Sequence, residues 1–360
     1  MIGSKSEHNP IISGADRDPT QSYPPTVIAH DGRYIAVTKT EARDLVGFES
    51  PDGIHFHQSH SYVLKTDPYS WDSERLSSPL LREVSDGNEL VLYYAGQTSA
   101  SEQWVGYAVA GHEGFEKAAG SPMITSSDFS RLGDYDMINL SDVIRVEGTY
   151  HFLGSARGPD GSILWRGHGD SPYSVGSIDI MFHTDDFGTD GILQAPSLIC
   201  VDDTYILQFT MGQTEYTLDE RRIYALGGEK LWNFIGEPVC ILRPGPTGSW
   251  DERRVYAAQW LKCQDGTFTT PQLNDRGKIV LYYSGHDLGH LDIPTMMKNL
   301  HAPSIGSVRG IDDDPLWKLN LRFLITKLRR KTPFLFNYNR GMTGLVTYDP
   351  DELVDLILQD

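Results

Sequence analysis

The 360-residue chain is 39% hydrophobic and carries a formal net charge of −18. That hydrophobic fraction suffices to form a buried core, which excludes a wholly disordered chain. The negative charge repels nucleic-acid phosphates and anionic lipids, so we expect neither nucleic acid nor a membrane surface as a partner.

The sequence lacks the features of exported, membrane and metal-binding proteins. No apolar run approaches the roughly 20 residues of a membrane helix, and the first residues lack the apolar centre of a secretory signal. The three cysteines, Cys200, Cys240 and Cys263, have no metal-ligand spacing and cannot all pair with one another. We therefore predict a cytoplasmic protein without a metal ion or cofactor, and leave its oligomeric state open.

In chain order, almost all the predicted elements are strands. Short runs of β-branched, aromatic or alternating residues recur between Asp-Gly, Asn and Pro positions, as in Leu90–Tyr94, Tyr150–Leu153 and Ile279–Tyr283. This pattern predicts an all-β fold.

One pattern recurs five times along the chain. Each copy begins with a proline or small residue, here termed the anchor, followed two positions later by an apolar residue and then by a turn before an apolar strand. The anchors lie 54 to 62 residues apart. They are Pro25, Pro79, Ser141, Pro196 and Ala258. Such units predict a five-bladed β-propeller whose last blade is completed by the N-terminal segment.

Residues 286–340 break the repeat. They read as loop followed by one amphipathic helix at about 314–331, whose basic end suits either a helix C-terminus or, less well, a membrane surface. We interpret them as a helical and loop insertion before the last strand, within one propeller domain that spans 1–360. The last strand is expected at Gly344–Asp349 and a short helix at Asp351–Leu358.

Several short motifs strengthen the propeller prediction. They are the start Asn9–Ile12, the turn Ser50–Phe56, the LYYAG and LYYSG strands, and the Trp-Asp pairs at 71–72 and 250–251. Over about residues 9–285 and the final strand, the chain resembles the five-bladed propeller glycoside hydrolases, which include the arabinanase and xylosidase families and the invertase and levansucrase families. The resemblance implies a sugar pocket on the propeller axis lined by three carboxylates, which serve as base or nucleophile, as orienting group and as general acid.

The three carboxylate positions implied by that resemblance hold other residues here. In those families an Asp precedes the first and third anchors, and a Glu stands two residues before the fourth. This chain has Pro24, Leu140 and Gln194 at these places, although the offset from anchor to turn is unchanged. Proline and leucine carry no proton, and a glutamine amide is no general acid near neutral pH. The catalytic triad is therefore predicted to be degenerate, with Gln194 in the place of the general acid.

Acidic residues near the anchors offer a second possibility. A shift of a few residues would bring Asp16 or Asp18 to the first position, and Asp136 or Asp142 to the third. Turn and loop chemistry is the simpler explanation for these aspartates. The candidate catalytic residues are accordingly Gln194, Asp142 and Asp18.

The candidate ligand-binding residues lie close to the anchors or to the last blade strand. The near-duplicate segments Trp71–Arg75 and Trp250–Arg254 precede the second and fifth anchors, where tryptophan could stack on a ligand and arginine could bind an anionic group. The alternative is packing and ion pairing between blades. The full set is Asn139, Arg75, Arg254, Trp71, Trp250 and His286.

Three hypotheses for the function follow. The preferred one is a glycosidase-like propeller that keeps an axial pocket for a sugar-like or other small polar molecule and performs non-hydrolytic chemistry of the cyclase, isomerase or transferase type. The second is an active glycoside hydrolase that uses displaced acids. The third is a non-catalytic carbohydrate-binding propeller.

Overall fold

The structure is a computed structural model of the chain. It describes residues 3–12, 25–39, 43–84, 89–98, 102–112, 114–159, 161–188, 191–212, 221–246, 249–251, 254–286 and 341–358. Within these segments the chain forms twenty strands, two 3-10 helices and one α-helix.

The twenty strands form five groups of four, and β1 at the N-terminus belongs to the last group. In chain order the strands have the following bounds. They are β1 (Ser4–Lys5); β2 (Thr26–His30), β3 (Arg33–Lys39), β4 (Leu45–Ser50) and β5 (His57–Leu64); β6 (Arg75–Val84), β7 (Glu89–Gln97), β8 (Gln103–Gly111) and β9 (Gly114–Lys117); β10 (Met137–Val146), β11 (Thr149–Gly158), β12 (Gly161–Gly169) and β13 (Ser177–His183); β14 (Ile192–Val201), β15 (Thr204–Gly212), β16 (Arg222–Lys230) and β17 (Asn233–Leu242); β18 (Arg254–Trp260), β19 (Ile279–His286) and β20 (Gly341–Tyr348). The 3-10 helices span Ser126–Phe129 and Thr184–Phe187, and α1 spans Pro350–Leu358.

Each group is an antiparallel four-stranded blade. Blades 1 to 4 contain β2–β5, β6–β9, β10–β13 and β14–β17 in sequential order, and blade 5 has the order β18-β19-β20-β1. Blades 2 and 3 also share one parallel pairing, between Met137 and Gln103. The tight turns lie where the sequence predicts them: Asp31-Gly32 and Glu147-Gly148 adopt positive φ angles, as short hairpin turns require.

Apolar clusters fill the space between neighbouring blades. Each cluster contains residues from two neighbouring blades: Ile28 and Leu81 from blades 1 and 2, Val91 and Phe152 from 2 and 3, Leu153 and Leu207 from 3 and 4, Ile206 and Leu281 from 4 and 5, and Val280 and Ala36 from 5 and 1. The last cluster returns from blade 5 to blade 1, so the blades form a ring. Burying apolar faces between blades stabilises this arrangement, and the architecture agrees with the predicted all-β propeller.

The N-terminal segment completes blade 5, as predicted. Strand β1 pairs with β20, and Asn9 fixes the pairing because its side chain exchanges hydrogen bonds of 2.9 and 2.8 Å with the backbone of Leu345. The expected C-terminal helix is confirmed as α1, which buries Leu353 and Ile357 against blades 4 and 5.

The predicted insertion lies outside the described residues from position 287 onward. The amphipathic helix at about 314–331 and the single-domain interpretation therefore stay predictions. No helix in the described part of the chain has the length and apolar character needed to cross a bilayer.

Candidate functional site

The first strands of the blades surround a cavity of about 240 Å³. Every blade contributes its anchor or the residue beside it: Pro25, Pro79, Ser141, Ala195 and Ala258. Hydrogen bonds link neighbouring first strands, for example Leu81 N–H to Thr26 Oγ1 at 2.9 Å and Val27 N–H to the Gln259 side chain at 3.3 Å. The recurring anchors therefore mark the axis of the propeller.

The backbone is strained where it lines the cavity. Ser78, Ala195 and Ala257 have φ angles of 46°, 55° and 48°, in the left-handed region that residues with a side chain seldom adopt. All three line the cavity, and each sits at an irregularity in the pairing of its strand. Strain of this kind costs energy and concentrates at functional sites, so it marks the cavity as a candidate site.

Two predicted site residues with amide side chains lie in the wall of the cavity. Asn139 lines the cavity, and its side-chain oxygen accepts hydrogen bonds from Ser78 Oγ and Gln103 Nε2, both at 2.6 Å. Gln194 also lines the cavity and is half-buried. Its side-chain amide makes no hydrogen bond to any residue that the structure describes, which leaves both of its polar atoms available to a ligand.

Three cationic side chains line the same cavity. Lys39 and Arg221 are only 6% and 5% exposed, whereas Arg75 reaches solvent. Burial, together with the neighbouring positive charge of Arg75, lowers the pKa of Lys39 to about 7. Among the described wall residues there is no Asp or Glu. The described wall thus supplies amides, hydroxyls and cations.

Arg254 lies behind this wall. Its guanidinium carbon is 5.1 Å from the ring centre of Tyr256, and that of Arg221 is 5.6 Å from the same ring. Tyr256 and Arg221 line the cavity, but Arg254 does not. Arg254 is placed to hold Tyr256 through a cation–π contact, while Arg75 is the predicted arginine that reaches the cavity.

The structure places the predicted catalytic Asp142 in the core, away from the cavity wall. It is fully buried, and its carboxylate binds Arg82 at 2.5 Å, Lys262, and the backbone N–H of Leu198 at 2.8 Å. Burial raises the pKa of Asp142, but Lys262 and Arg82 outweigh that effect and lower it below its usual range. A carboxylate held ionised by partners from blades 2, 4 and 5 has the environment of a structural group.

Both predicted tryptophans pack inside their own blades. Trp71 stacks on Tyr94 with ring centres 5.7 Å apart, and Trp250 stacks on Tyr283 at 5.5 Å. Neither lines the cavity. The predicted stacking on a ligand is therefore not seen, and the alternative of packing between blades needs a correction, since each indole packs on aromatic residues and glycines of its own blade.

The structure gives only partial information on the remaining candidate site residues. Asp136 is exposed and directly precedes the wall residue Met137. The structure shows His286 at the end of β19, paired with Arg254 through the backbone, but does not describe its side chain. Asp16 and Asp18 lie outside the described residues, as does Pro24, so their roles stay predictions.

Several wall residues were not predicted from the sequence. They are Lys39, Gln103, Arg221, Tyr256 and Gln259. Lys39 ends β3, and Arg221 directly precedes β16, so neither follows an anchor. These residues could have been found by searching the sequence for polar residues at the strand ends that face the cavity. Within the described segments, no group of three or more His, Cys, Asp or Glu could hold a metal ion.

Comparison with known proteins establishes the fold. No protein-family profile and no curated sequence matches the chain. Among solved structures, an endo-arabinase from Bacteroides thetaiotaomicron is 12% identical with a TM-score of 0.56, covering 74% of this chain and 89% of that one. An α-L-arabinofuranosidase from Lactobacillus brevis is 11% identical with a TM-score of 0.57, covering 79% and 87%. The catalytic domain of an α-L-arabinofuranosidase from Coprinopsis cinerea is 14% identical with a TM-score of 0.55, covering 96% of both chains.

These similarities confirm the resemblance expected from the sequence. The chain has the fold of the five-bladed β-propeller glycoside hydrolases. At such low sequence identity the comparison establishes only the fold. The chemistry of the site has to be inferred from the residues that line it.

Proposed function

We propose that this chain is a glycosidase-like propeller whose axial cavity binds a sugar-like or other small polar molecule and performs non-hydrolytic chemistry of the cyclase, isomerase or transferase type. The observation that carries the proposal is the composition of the described cavity wall, where Gln194, Asn139 and cationic groups occur without a carboxylate. Glycoside hydrolysis needs one carboxyl group as acid and another as base or nucleophile.

The size and polarity of the cavity suit such a ligand. Its volume of about 240 Å³ lies just below the range of about 300–1,000 Å³ that is usual for drug-sized molecules. Serine, asparagine and glutamine side chains can donate hydrogen bonds to ligand hydroxyls and accept them in return. One solved neighbour, an α-L-arabinofuranosidase from Podospora anserina, is in complex with cellotriose. A sugar-sized ligand is therefore a reasonable occupant of a shared fold.

The chemistry available to this wall is orientation and stabilisation of charge. Amides and guanidinium groups hold a polar molecule in one conformation by several directed hydrogen bonds, which favours a reaction within the bound molecule or between two bound groups. The same groups stabilise an oxyanion that develops during reaction. Neither task requires proton transfer by a carboxylic acid.

The alternative is hydrolysis by displaced acids, and Asp136 beside the cavity rim keeps it open. The test is an assay of the purified full chain with aryl arabinofuranosides, aryl xylosides and sucrose. We expect no turnover above the uncatalysed rate. Turnover that disappears in Asp136→Asn or Asp18→Asn would overturn the proposal and establish a hydrolase.

A further inference from the structure

We propose that the ligand of the axial cavity carries a carbonyl oxygen, as a sugar lactone does, and that this oxygen accepts a hydrogen bond from the side-chain NH2 group of Asn139 or Gln259. This inference rests on the proposed function, since it takes the axial cavity as the ligand site. It adds the chemical group that the ligand presents to the wall.

The protein fixes the orientation of the Asn139 amide. Its oxygen accepts hydrogen bonds from Ser78 Oγ and Gln103 Nε2, both at 2.6 Å. The same nitrogen of Gln103 also donates to the backbone oxygen of Ile138 at 3.3 Å, and a backbone oxygen can only accept, so Gln103 is the donor toward Asn139. The Asn139 oxygen is therefore engaged by the protein, and its NH2 group is left to the cavity that Asn139 lines.

Gln259 in blade 5 is arranged in the same way. Its side-chain oxygen accepts the backbone N–H of Val27 at 3.3 Å, and a backbone N–H can only donate. Gln259 is 6% exposed and lines the cavity. Its nitrogen makes no hydrogen bond to a described residue and is not enclosed by protein. A ligand that displaces water from the cavity has to offer this nitrogen an acceptor, because a buried donor without a partner is costly.

The protein already uses two acceptors of the same wall. The backbone oxygens of Ala195 and Ala258 accept hydrogen bonds from Gln208 Nε2 at 3.1 and 2.7 Å. Arg75, which also lines the cavity, carries donors and no acceptor. A ligand hydroxyl that accepts from an amide NH2 group must still place its own proton on an acceptor, whereas a carbonyl oxygen has no proton to place. The wall around these amides therefore favours a carbonyl oxygen.

Gln194 suits the rest of such a ligand. Both polar atoms of its side chain are available, so it can donate to a ligand hydroxyl and also accept from it. A compound with several hydroxyls and one carbonyl group matches both parts of the wall. A sugar lactone has this composition.

The first test is calorimetry of the full chain with three five-membered ring compounds. D-ribono-γ-lactone has a ring carbonyl, anhydroribitol has a CH2 group in its place, and the cyclic amine iminoribitol has a ring ammonium in place of the ring oxygen of anhydroribitol. The lactone should bind about ten-fold or more tightly than anhydroribitol, the usual effect of satisfying a buried donor. Iminoribitol should bind most weakly, because an ammonium group offers no acceptor.

Two variants locate the donor. In Asn139→Asp and Gln259→Glu the carboxylate keeps an oxygen for the present donors and replaces the NH2 group by a second acceptor. At about pH 8, where carboxyl groups ionise, at least one of these variants should lose the preference for the lactone and bind iminoribitol more tightly than the wild type does.

Asn274→Asp is the matched control. The Asn274 oxygen also accepts two hydrogen bonds, from the backbone N–H groups of Arg276 and Lys278 at 3.0 Å each, but Asn274 does not line the cavity. This variant changes the net charge by the same amount and should leave all three affinities unchanged. A melting curve for each variant checks that it is folded.

The outcomes separate this inference from the proposed function. The inference is wrong if the lactone binds no more tightly than anhydroribitol, or if none of the three compounds binds. It is also wrong if both cavity variants keep the lactone preference, or if Asn274→Asp removes it as well. The proposed function survives these results when another small polar molecule occupies the axial cavity. Turnover of aryl glycosides that is lost in an Asp→Asn variant would instead overturn the proposed function.

Discussion

Gln194 is the cavity residue on which the functional proposal depends most. The sequence predicts that it stands in the place of the family's general acid. It lines the cavity, and its side-chain amide makes no hydrogen bond to a described residue. Since an amide binds by hydrogen bonds and does not titrate, its contribution should appear in affinity and not in acid catalysis.

We expect Gln194→Ala to weaken binding of the tightest small polar ligand by about 1–3 kcal/mol, the usual cost of leaving a buried polar group without its partner. Calorimetry measures the change. Gln58→Ala, on the exposed side of blade 1, is the matched control and should bind like the wild type. Equal affinities for all three proteins would remove Gln194 from the ligand site.

At the level of the blade, a tryptophan packs on glycines of the neighbouring strands. In blade 5, a Cβ atom at Gly344 of β20 would lie 2.6 Å from Trp250, and one at Gly285 of β19 would lie 2.3 Å from it. Blade 2 repeats the arrangement, with Trp71 against Gly96 and Gly106. Packing therefore explains why the Trp-Asp segment occurs twice. The indole ring occupies the space that a side chain at these glycine positions would fill.

Gly344→Ala should destabilise the protein by about 1–3 kcal/mol, because a methyl group at this position overpacks the blade. Urea unfolding provides the measurement. Gly120→Ala is the control, since its nearest neighbour would be 3.8 Å away. If both variants unfold at the same urea concentration, the indole moves without cost and the packing explanation fails.

For the whole molecule, Asp142 forms a polar link between blades. Its carboxylate in blade 3 binds Arg82 of blade 2, Leu198 of blade 4 and Lys262 of blade 5. Removing one member of a buried ionic group leaves the others without a partner, whereas replacing the whole group with apolar residues removes the desolvation cost as well.

Asp142→Asn should therefore cost about 3–5 kcal/mol of stability, and the triple variant Asp142→Leu, Arg82→Met and Lys262→Met should cost less. The pKa of Asp142 is lowered on folding, so its contribution is present above the unfolded pKa of about 3.9 and is lost as pH falls through the lower folded value. The stability difference between wild type and Asp142→Asn should shrink below about pH 4. A difference that grows in acid would contradict the ionised state.

The propeller could be predicted because its signals are local. The anchor and the following turn lie within a few residues of each other. The positions of Pro79 and Ser141 on the axis could therefore be predicted without knowing which strands pair. The roles of Asp142 and Trp71 depend on contacts across blades or between strands, which the spacing of residues does not reveal. Lys39 escaped notice for the same reason: only the ring of blades brings the end of β3 to the axis.

The most direct test of the central claim is a crystal structure of the full chain soaked with a library of small polar molecules, including neutral and anionic sugars. We predict ligand density in the axial cavity, with hydrogen bonds between the ligand and the side chains of Gln194 and Asn139. Ligands found only elsewhere, such as the groove beside Arg166 and Trp232, with an ordered and empty axial cavity, would contradict it.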